Sequence, residues 1–177
     1  DGDSLYFATD RDSDTLRLER LDLESGDYSV VEDGGEWNVD GVSIHQDARR
    51  VAYSKNVDGY TDVTVGELVE PDRIDPADLP DVPKGVAGGV DWGPDGARYT
   101  LTVTGSSENT NVHVLDARSG ERQRWTDAST AGIPRETFVE PQLVHFPTFD
   151  GLEIPGFFSV PDHVPEGGAP VIVDIHG

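Results

Sequence analysis

The chain has no cysteine among its 177 residues, and lysine is almost absent. Without cysteine it can form no disulfide bond, no zinc–thiolate site and no cysteine nucleophile. Lys55 and Lys84 are the two lysines among 13 basic residues, and the other 11 are arginines. No apolar run reaches the roughly 18 residues of a transmembrane helix, and the start "DGDSLYFATD" lacks the charged and apolar regions of a signal peptide. We therefore expect no membrane partner.

Acidic residues are abundant along the whole chain. They number 35 and give a net charge of −22, and residues 136–177 contain seven acids with no lysine or arginine. The acids are therefore not confined to one tail. A surface of this sign repels phosphates, so nucleic acid is not an expected partner.

The kind of acid is also biased, because aspartate outnumbers glutamate by 23 to 12. Together with the scarcity of lysine, this bias resembles the proteins of halophiles that keep molar salt in the cytoplasm. Self-repulsion should destabilise the fold in dilute buffer, and salt at about 1 M shortens the screening length to roughly 3 Å. The composition predicts a haloarchaeal protein of a high-salt cytoplasm. An ordinary acidic domain is the alternative.

Strand patterns cover most of the first 126 residues, and no segment has a convincing helical period. The segment "RYTLTVT" alternates in polarity and predicts one buried face with Tyr99, Leu101 and Val103. Gly, Asp, Asn and Pro separate the extended stretches, as turns require. The predicted strands lie at 4–9, 15–23, 28–32, 41–45, 49–55, 61–69, 88–92, 97–105, 110–117 and 121–126.

The strand pattern repeats. "VSIHQDARRVAY" at 42–53 aligns with "VDWGPDGARYTL" at 90–101, and "TDVTVGEL" from residue 61 aligns with "TNVHVLDA" from residue 110. A period of about 40–50 residues with about four strands is typical of propeller blades, which bury their two apolar faces by stacking. The chain should open on the second strand of one blade and hold two further blades. Antiparallel meanders without closure are the alternative.

The pattern changes after residue 126. Residues 127–140 are small, polar and proline-containing, which predicts a linker. Asp150-Gly151 then predicts a hairpin between two extended stretches, of which the second ends at Pro161. The final run, residues 170–175, is apolar and predicts a strand buried on both faces of an α/β sheet.

"VHFPTFDGLEIPGFFSVP", a short loop and "PVIVDIHG" together resemble the beginning of the catalytic domain in the prolyl oligopeptidase family of serine peptidases. The acylaminoacyl-peptidase-like branch is the most similar. In that family a β-propeller precedes an α/β-hydrolase domain. The resemblance implies a mainly β chain: residues 1–137 would be the C-terminal, four-stranded antiparallel blades of a propeller, and residues 138–177 the first strands of a truncated α/β-hydrolase domain.

The resemblance also implies that the whole protein is a serine peptidase that hydrolyses oligopeptides, with the propeller restricting access. His176 and Gly177 would begin the oxyanion loop, whose backbone N–H groups stabilise the developing negative charge. No G-x-S-x-G motif occurs here, and the triad follows the oxyanion loop in α/β-hydrolases. We therefore expect the triad beyond Gly177, no catalytic residue in this chain and no activity of this chain alone. The expected partner is an oligopeptide; no cofactor or metal is expected, and oligomerisation stays undecided.

Other candidate sites have simpler interpretations. "DRDSD" at 10–14 suggests a calcium loop, but the EF-hand positions that need Gly and Glu hold Thr15 and Leu21. The proline-rich residues 70–83 predict a blade-edge loop and not a ladder strand, with a gate or substrate contact as the less favoured reading. No two glutamates are adjacent, which argues against the dipeptidyl-peptidase branch.

Aromatic and histidine residues are assigned structural roles. Three tryptophans are expected to pack between blades, namely Trp37, Trp92 and Trp125. His113 is expected on a polar strand face. None of four histidines is expected to be a catalytic base, namely His45, His113, His145 and His163.

Two other functions fit parts of the sequence. The blades also resemble the propellers of periplasmic translocation proteins, which bind partners without cutting peptides. The parent could also be an esterase of the α/β-hydrolase fold. Residues 141–177 favour the peptidase over a pure propeller, because a propeller would continue with another blade.

Overall fold

The computed structural model describes residues 2–45, 47, 49–78 and 82–175. Antiparallel strands dominate these ranges, and the helical element among them is one 3-10 turn at Arg135–Thr137. The absence of an α-helix from the described residues agrees with the sequence pattern. The strands are β1 (Ser4–Thr9), β2 (Arg17–Asp22), β3 (Tyr28–Glu32), β4 (Val39–His45), β5 (Arg50–Val57), β6 (Tyr60–Glu70), β7 (Arg73–Pro76), β8 (Val86–Trp92), β9 (Arg98–Thr104), β10 (Asn111–Asp116), β11 (Arg122–Arg124), β12 (Gln142–Pro147) and β13 (Glu153–Phe158).

The strands form three sheets and one separate hairpin. β1, β2 and β3 make a three-stranded sheet, β4 to β7 and β8 to β11 make two four-stranded sheets, and β12 pairs with β13. Within each sheet, neighbours in sequence are neighbours in space and run antiparallel. The predicted mainly β fold of antiparallel blades is confirmed, with one three-stranded unit followed by two complete ones.

The sequence repeat corresponds to equal strand register in the two complete sheets. Arg50 faces Glu67 across β5 and β6, and Arg98 faces Asp116 across β9 and β10. In both pairs the guanidinium and carboxylate atoms lie 3.7 Å apart. The repeated arginine therefore makes the same cross-strand ion pair twice.

The first and third sheets each contain the same kind of turn. Asp22 Oδ1 accepts a hydrogen bond from the Ser25 N–H, and Asp116 Oδ1 accepts one from the Ser119 N–H, both at 2.9 Å. The Ser25 N–H, followed by the Arg20 guanidinium, lowers the pKa of Asp22 to about 2. β2 and β10 are therefore followed by turns of the same kind and occupy the same place in their blades. It follows that β1 corresponds to β9, the second strand of a blade, as the repeat predicts.

The sheets stack through their apolar faces. Leu18, Val39 and Tyr53 form the cluster between the first and second sheets. A larger cluster between the second and third sheets removes from water the apolar faces that one sheet cannot bury alone. Its buried members are Ala52, Val65, Tyr99, Leu101, Val103 and Leu115.

Residues 70–83 contain a strand that the sequence reasoning excluded. β7 pairs with β6 through Ile74 opposite Leu68 and Pro76 opposite Gly66. Proline is tolerated there because β7 is the outer strand of its sheet, where one edge needs no hydrogen-bond partner. The prediction of a loop is therefore wrong for Arg73–Pro76.

The alternation on β9 is as predicted: Tyr99, Leu101 and Val103 are 1% exposed or less. The prediction for His113 is wrong. Its face of β10 is the buried one, and the imidazole is 2% exposed. Strict alternation allows either face to point inward, and packing against the second sheet decided which one does.

The tryptophans differ from one another. Trp92 packs against the second-to-third sheet cluster, with its ring 5.3 Å from that of Tyr99. Trp37 is half-buried beyond β3, whereas Trp125 is 64% exposed. Blade packing is therefore confirmed for Trp92 and wrong for Trp125. Trp125 follows the three-residue outer strand β11, and no sheet formed by the described residues covers it.

The second part of the chain follows the prediction only as far as the hairpin. Asp150-Gly151 lies in the turn between β12 and β13, with Gly151 at φ +87°. The run Val171–Ile175 belongs to no described sheet, and its valines and isoleucines are 76–92% exposed. The predicted strand is therefore not formed within the described residues, and its burial in an α/β sheet stays a prediction. A strand needs a neighbour to satisfy its backbone N–H and C=O groups, and no described strand lies beside this run.

Candidate functional site at the junction between the blades and the terminal hairpin

The β5–β6 turn is the part of the second sheet that contacts the β12–β13 hairpin, which we call the terminal hairpin. Its two central residues, Asp58 and Gly59, have φ values of +52° and +85°. Positive φ at both positions is what a two-residue type I′ hairpin turn requires, and Asp-Gly is a preferred pair for it. The Gly59 N–H donates to Asn56 Oδ1 at 2.9 Å, which holds the turn in place.

The β12–β13 hairpin has two distinct faces. Leu143 lies opposite Phe157, and His145 lies opposite Pro155, so His145 and Phe157 share one face. The other face is apolar and exposed. Its large side chains are Val144, Phe146, Ile154 and Phe158, and each is between 37% and 50% exposed.

The shared face of His145 and Phe157 contacts the turn. His145 Nε2 lies 3.1 Å from Asp58 Oδ2, across 87 residues of sequence. The Phe157 ring lies edge-on to the Tyr60 ring, with centroids 5.0 Å apart and planes at 69°. A Cβ added to Gly59 would lie 2.9 Å from the Phe157 ring, so the glycine also makes room for this contact.

A small cavity of about 200 Å³ lies beside this junction, between the second and third sheets. Tyr99, Leu101 and Leu115 form part of its lining, and Tyr60 and Lys84 line it as well. The Tyr99 hydroxyl is buried without a hydrogen-bond partner among the described residues, and burial raises the pKa of Tyr99 to about 12. Most of the lining surface of the cavity is apolar.

A polar network fastens the linker after β11 to the third sheet. The Asn111 side chain, 1% exposed, donates to Glu108 Oε1 at 3.0 Å. Its Oδ1 accepts from the Thr126 hydroxyl and the Ala128 N–H, both at 2.9 Å. Further along, Arg135 donates to Asp127 Oδ1. The start of the predicted linker is therefore attached to the third sheet through Ala128, and Arg135 folds back onto Asp127 within the linker.

His113 lies next to this network, and its ring is buried. Neither ring nitrogen has a hydrogen-bond partner among the described residues, and Glu108 Oε2 is 4.0 Å from Nε2. Burial lowers the pKa of His113; the Glu108 carboxylate opposes this shift, and Arg122 and Arg124 add to it. These are the surroundings of a buried core side chain, and the expectation that His113 is not a catalytic base stays a prediction.

The other sequence candidates do not assemble into one site. His176 and Gly177, the predicted start of an oxyanion loop, lie outside the described residues. His45 contacts the Pro94 carbonyl at 3.2 Å, and His163 is exposed. In the described ranges no group of three or more His, Cys, Asp or Glu could hold a metal, residues 10–14 included. Among all described residues, no helix has the length and apolar character of a membrane span.

Solved structures match the chain, although no family model and no curated protein does. One is a prolyl endopeptidase from a study of two such enzymes and of inter-domain dynamics in their catalysis and specificity. It has a TM-score of 0.74 and 15% identity over 93% of this chain and 24% of that one. Apo prolyl oligopeptidase B from Galerina marginata has a TM-score of 0.71 and 12% identity over the same shares, 93% and 24%.

These matches show the fold: the stacked sheets have the arrangement of the propeller region of prolyl oligopeptidases. The chain spans about a quarter of the length of these structures. Sequence reasoning missed the junction residues Asp58, Gly59 and Tyr60. The Asp58-Gly59 pair between two strands was the available signal, but it predicts a turn and not what the turn contacts.

Proposed function

We propose that this chain is a segment of a serine peptidase that hydrolyses oligopeptides, comprising the last blades of its propeller and the first strands of its hydrolase domain. The domain boundary falls at residue 137, between β11 and β12. The observation that carries the proposal is the match to prolyl endopeptidases, together with the change after β11 from four-stranded sheets to a separate hairpin.

The extent of that match supports the order of domains. Coverage of 93% leaves only about 12 of the 177 residues unmatched. Residues 138–177 are too many to fall in that remainder, so most of them lie inside the match. A propeller that continued with another blade would have a four-stranded unit here instead of the β12–β13 pair.

The exposed apolar surface of the second part supports a missing neighbour. One face of the hairpin carries Val144 and Phe146 exposed by 39% and 49%, and the run Val171–Ile175 is more exposed still. Large exposed apolar patches mark interaction sites. An α/β sheet would cover both features and would give the run the strand neighbours that it lacks.

In this proposal the blades restrict access, so that short peptides reach the active site and folded proteins do not. His176 and Gly177 begin the oxyanion loop, and the serine, acid and histidine lie beyond Gly177. Serine attack on the scissile carbonyl forms an acyl-enzyme, with histidine as the base. The chain alone supplies neither nucleophile nor base.

A fluorophosphonate probe tests the proposal, because it labels activated serines irrespective of substrate. The protein from the uninterrupted reading frame should be labelled and should hydrolyse acyl-aminoacyl or prolyl chromogenic substrates in about 1 M KCl or more. The 177-residue chain is the matched control and should show neither property. Labelling of the short chain, or a reading frame without G-x-S-x-G, would contradict the proposal.

The same experiment separates the other functions. Hydrolysis of simple esters without peptide cleavage would identify an esterase of the same fold, and peptide binding without labelling would indicate a binding propeller. From the charge of −22 we further propose that the protein works in the high-salt cytoplasm of a haloarchaeon.

A further inference from the structure

We propose that the β12–β13 hairpin is a separable latch: it exists in a docked and an undocked state, and His145 and Phe157 hold it against the Asp58–Tyr60 turn. The docked state sets where the following segment leaves the blades. The inference concerns this chain and does not depend on peptidase activity. Only its consequence for a hydrolase domain rests on the proposed function.

The hairpin cannot depend on its own sheet for stability. It pairs with no third strand in the part of the chain that the structure describes, and none of its twelve strand residues is fully buried. A lone two-stranded hairpin is marginally stable in water, because too little apolar surface leaves the solvent. Its order therefore has to come from contacts with another part of the chain.

The polar contact to the blade is specific in geometry. His145 Nε2 and Asp58 Oδ2 are 3.1 Å apart, and the Asp58 side chain is only 22% exposed. Positive φ at Asp58 belongs to a tight turn, which fixes the backbone that carries the carboxylate, and the imidazole N–H donates to that carboxylate. A neutral imidazole can donate this bond, and a protonated one donates it more strongly.

Residues of both the turn and the hairpin form the apolar contact. Tyr60 meets the Phe157 ring edge-on, which is a favourable geometry for aromatic pairs. Gly59 satisfies two requirements at once, since its φ of +85° suits the turn and its missing side chain admits the Phe157 ring. The turn thus offers three consecutive residues that contact one face of the hairpin.

The interface between the hairpin and the turn is small, and we therefore expect docking to be reversible. Phe157 stays 50% exposed and the His145 side chain 42% exposed in the docked state. Two weak contacts can separate without disturbing the clusters between the sheets. The opposite, apolar face of the hairpin moves with it, so the latch controls the position of that face.

Hydrogen exchange of the 177-residue chain, followed by mass spectrometry in high salt, tests the latch. His145→Ala and Phe157→Ala should each speed exchange of amides 142–158 by about 3–10-fold, with no change at β9 and β10. His163→Ala and Phe149→Ala are matched controls, because His163 is exposed and Phe149 is 103% exposed at the hairpin tip. Neither control should alter exchange.

A second pair of variants tests the polar contact from the blade side. Asp58→Ala should speed exchange of the same amides, and the double variant with His145→Ala should be no faster than the faster single variant, because both remove one contact. Multiplicative effects of the two substitutions would show that they act separately and would overturn the pairing. Equal exchange in wild type, His145→Ala and Phe157→Ala would overturn the latch itself.

Because exchange is read without catalysis, the latch can fail while the fluorophosphonate experiment succeeds, and the reverse. If a global loss of stability caused the faster exchange, the β9 and β10 amides would accelerate as well, and that result would also count against the latch.

Discussion

Two buried tyrosines provide opposite expectations from the same chemical change. Tyr99 is 1% exposed, and its hydroxyl has no hydrogen-bond partner among the described residues. Tyr53 is 8% exposed, and its hydroxyl donates to Glu32 Oε2 at 3.0 Å. Replacing each by phenylalanine removes one hydroxyl and leaves the ring in place. We expect Tyr99→Phe to stabilise the fold and Tyr53→Phe to destabilise it.

The magnitudes follow from the two environments. An unsatisfied buried polar group costs roughly 1–3 kcal/mol, so Tyr99→Phe should raise the free energy of unfolding by about 1 kcal/mol. A hydrogen bond to a charged group contributes roughly 1.5–3 kcal/mol, so Tyr53→Phe should lower it by about 2 kcal/mol. For a chain of this size, 1 kcal/mol corresponds to a shift in Tm of about 2–4 °C.

Alkaline pH adds an independent readout for Tyr99. Its pKa is raised by burial to about 12 from the usual 10.0. The unfolded chain therefore releases this proton first, and stability falls as pH rises from 10 towards 12. A difference of this size corresponds to about 3 kcal/mol by linkage, and Tyr99→Phe should lack that part of the loss.

Urea unfolding followed by circular dichroism, at one fixed KCl concentration, measures all three proteins. The opposite signs of the two changes in the free energy of unfolding matter more than their magnitudes. If Tyr99→Phe is destabilised as much as Tyr53→Phe, the Tyr99 hydroxyl is satisfied after all, and the reasoning from its burial is refuted. The same holds if the alkaline limb of Tyr99→Phe matches that of the wild type.

Three further predictions use other features of the fold. Burial lowers the pKa of His113, so stability should decline as pH falls below 6.5, the ordinary histidine value; His113→Phe should flatten that decline in urea unfolding, and an unchanged slope would contradict a buried neutral ring. Gly59→Ala should be less stable than Gly26→Ala by about 1 kcal/mol or more in thermal unfolding, because both glycines have positive φ but only Gly59 faces an aromatic ring; equal losses would count against that contact. With a net charge of −22, Tm should rise between about 0.1 and 1 M KCl as the screening length falls from roughly 10 to 3 Å, and a Tm independent of salt would remove the halophilic interpretation.

Local patterns predicted most strands of the three sheets, with β7 as the exception. Period-two alternation, the 48-residue repeat and Asp-centred turns are properties of neighbouring residues, and they predicted the strands around Tyr99 and the hairpin at Asp150-Gly151. The register agrees with the repeat, because the repeated arginine has an acidic cross-strand partner in both the second and the third sheet. The charge of the surface is likewise a property of composition alone.

Tertiary structure decided what depends on distant neighbours. Three features depend on the other sheets. They are the burial of His113, the edge position of β7 that tolerates Pro76, and the presence or absence of a strand beside Val171–Ile175. The junction depends on them most, because Asp58 and His145 are 87 residues apart. A turn motif specifies its own backbone; the side chain that reaches it is determined by how the chain folds back, and no local period encodes that.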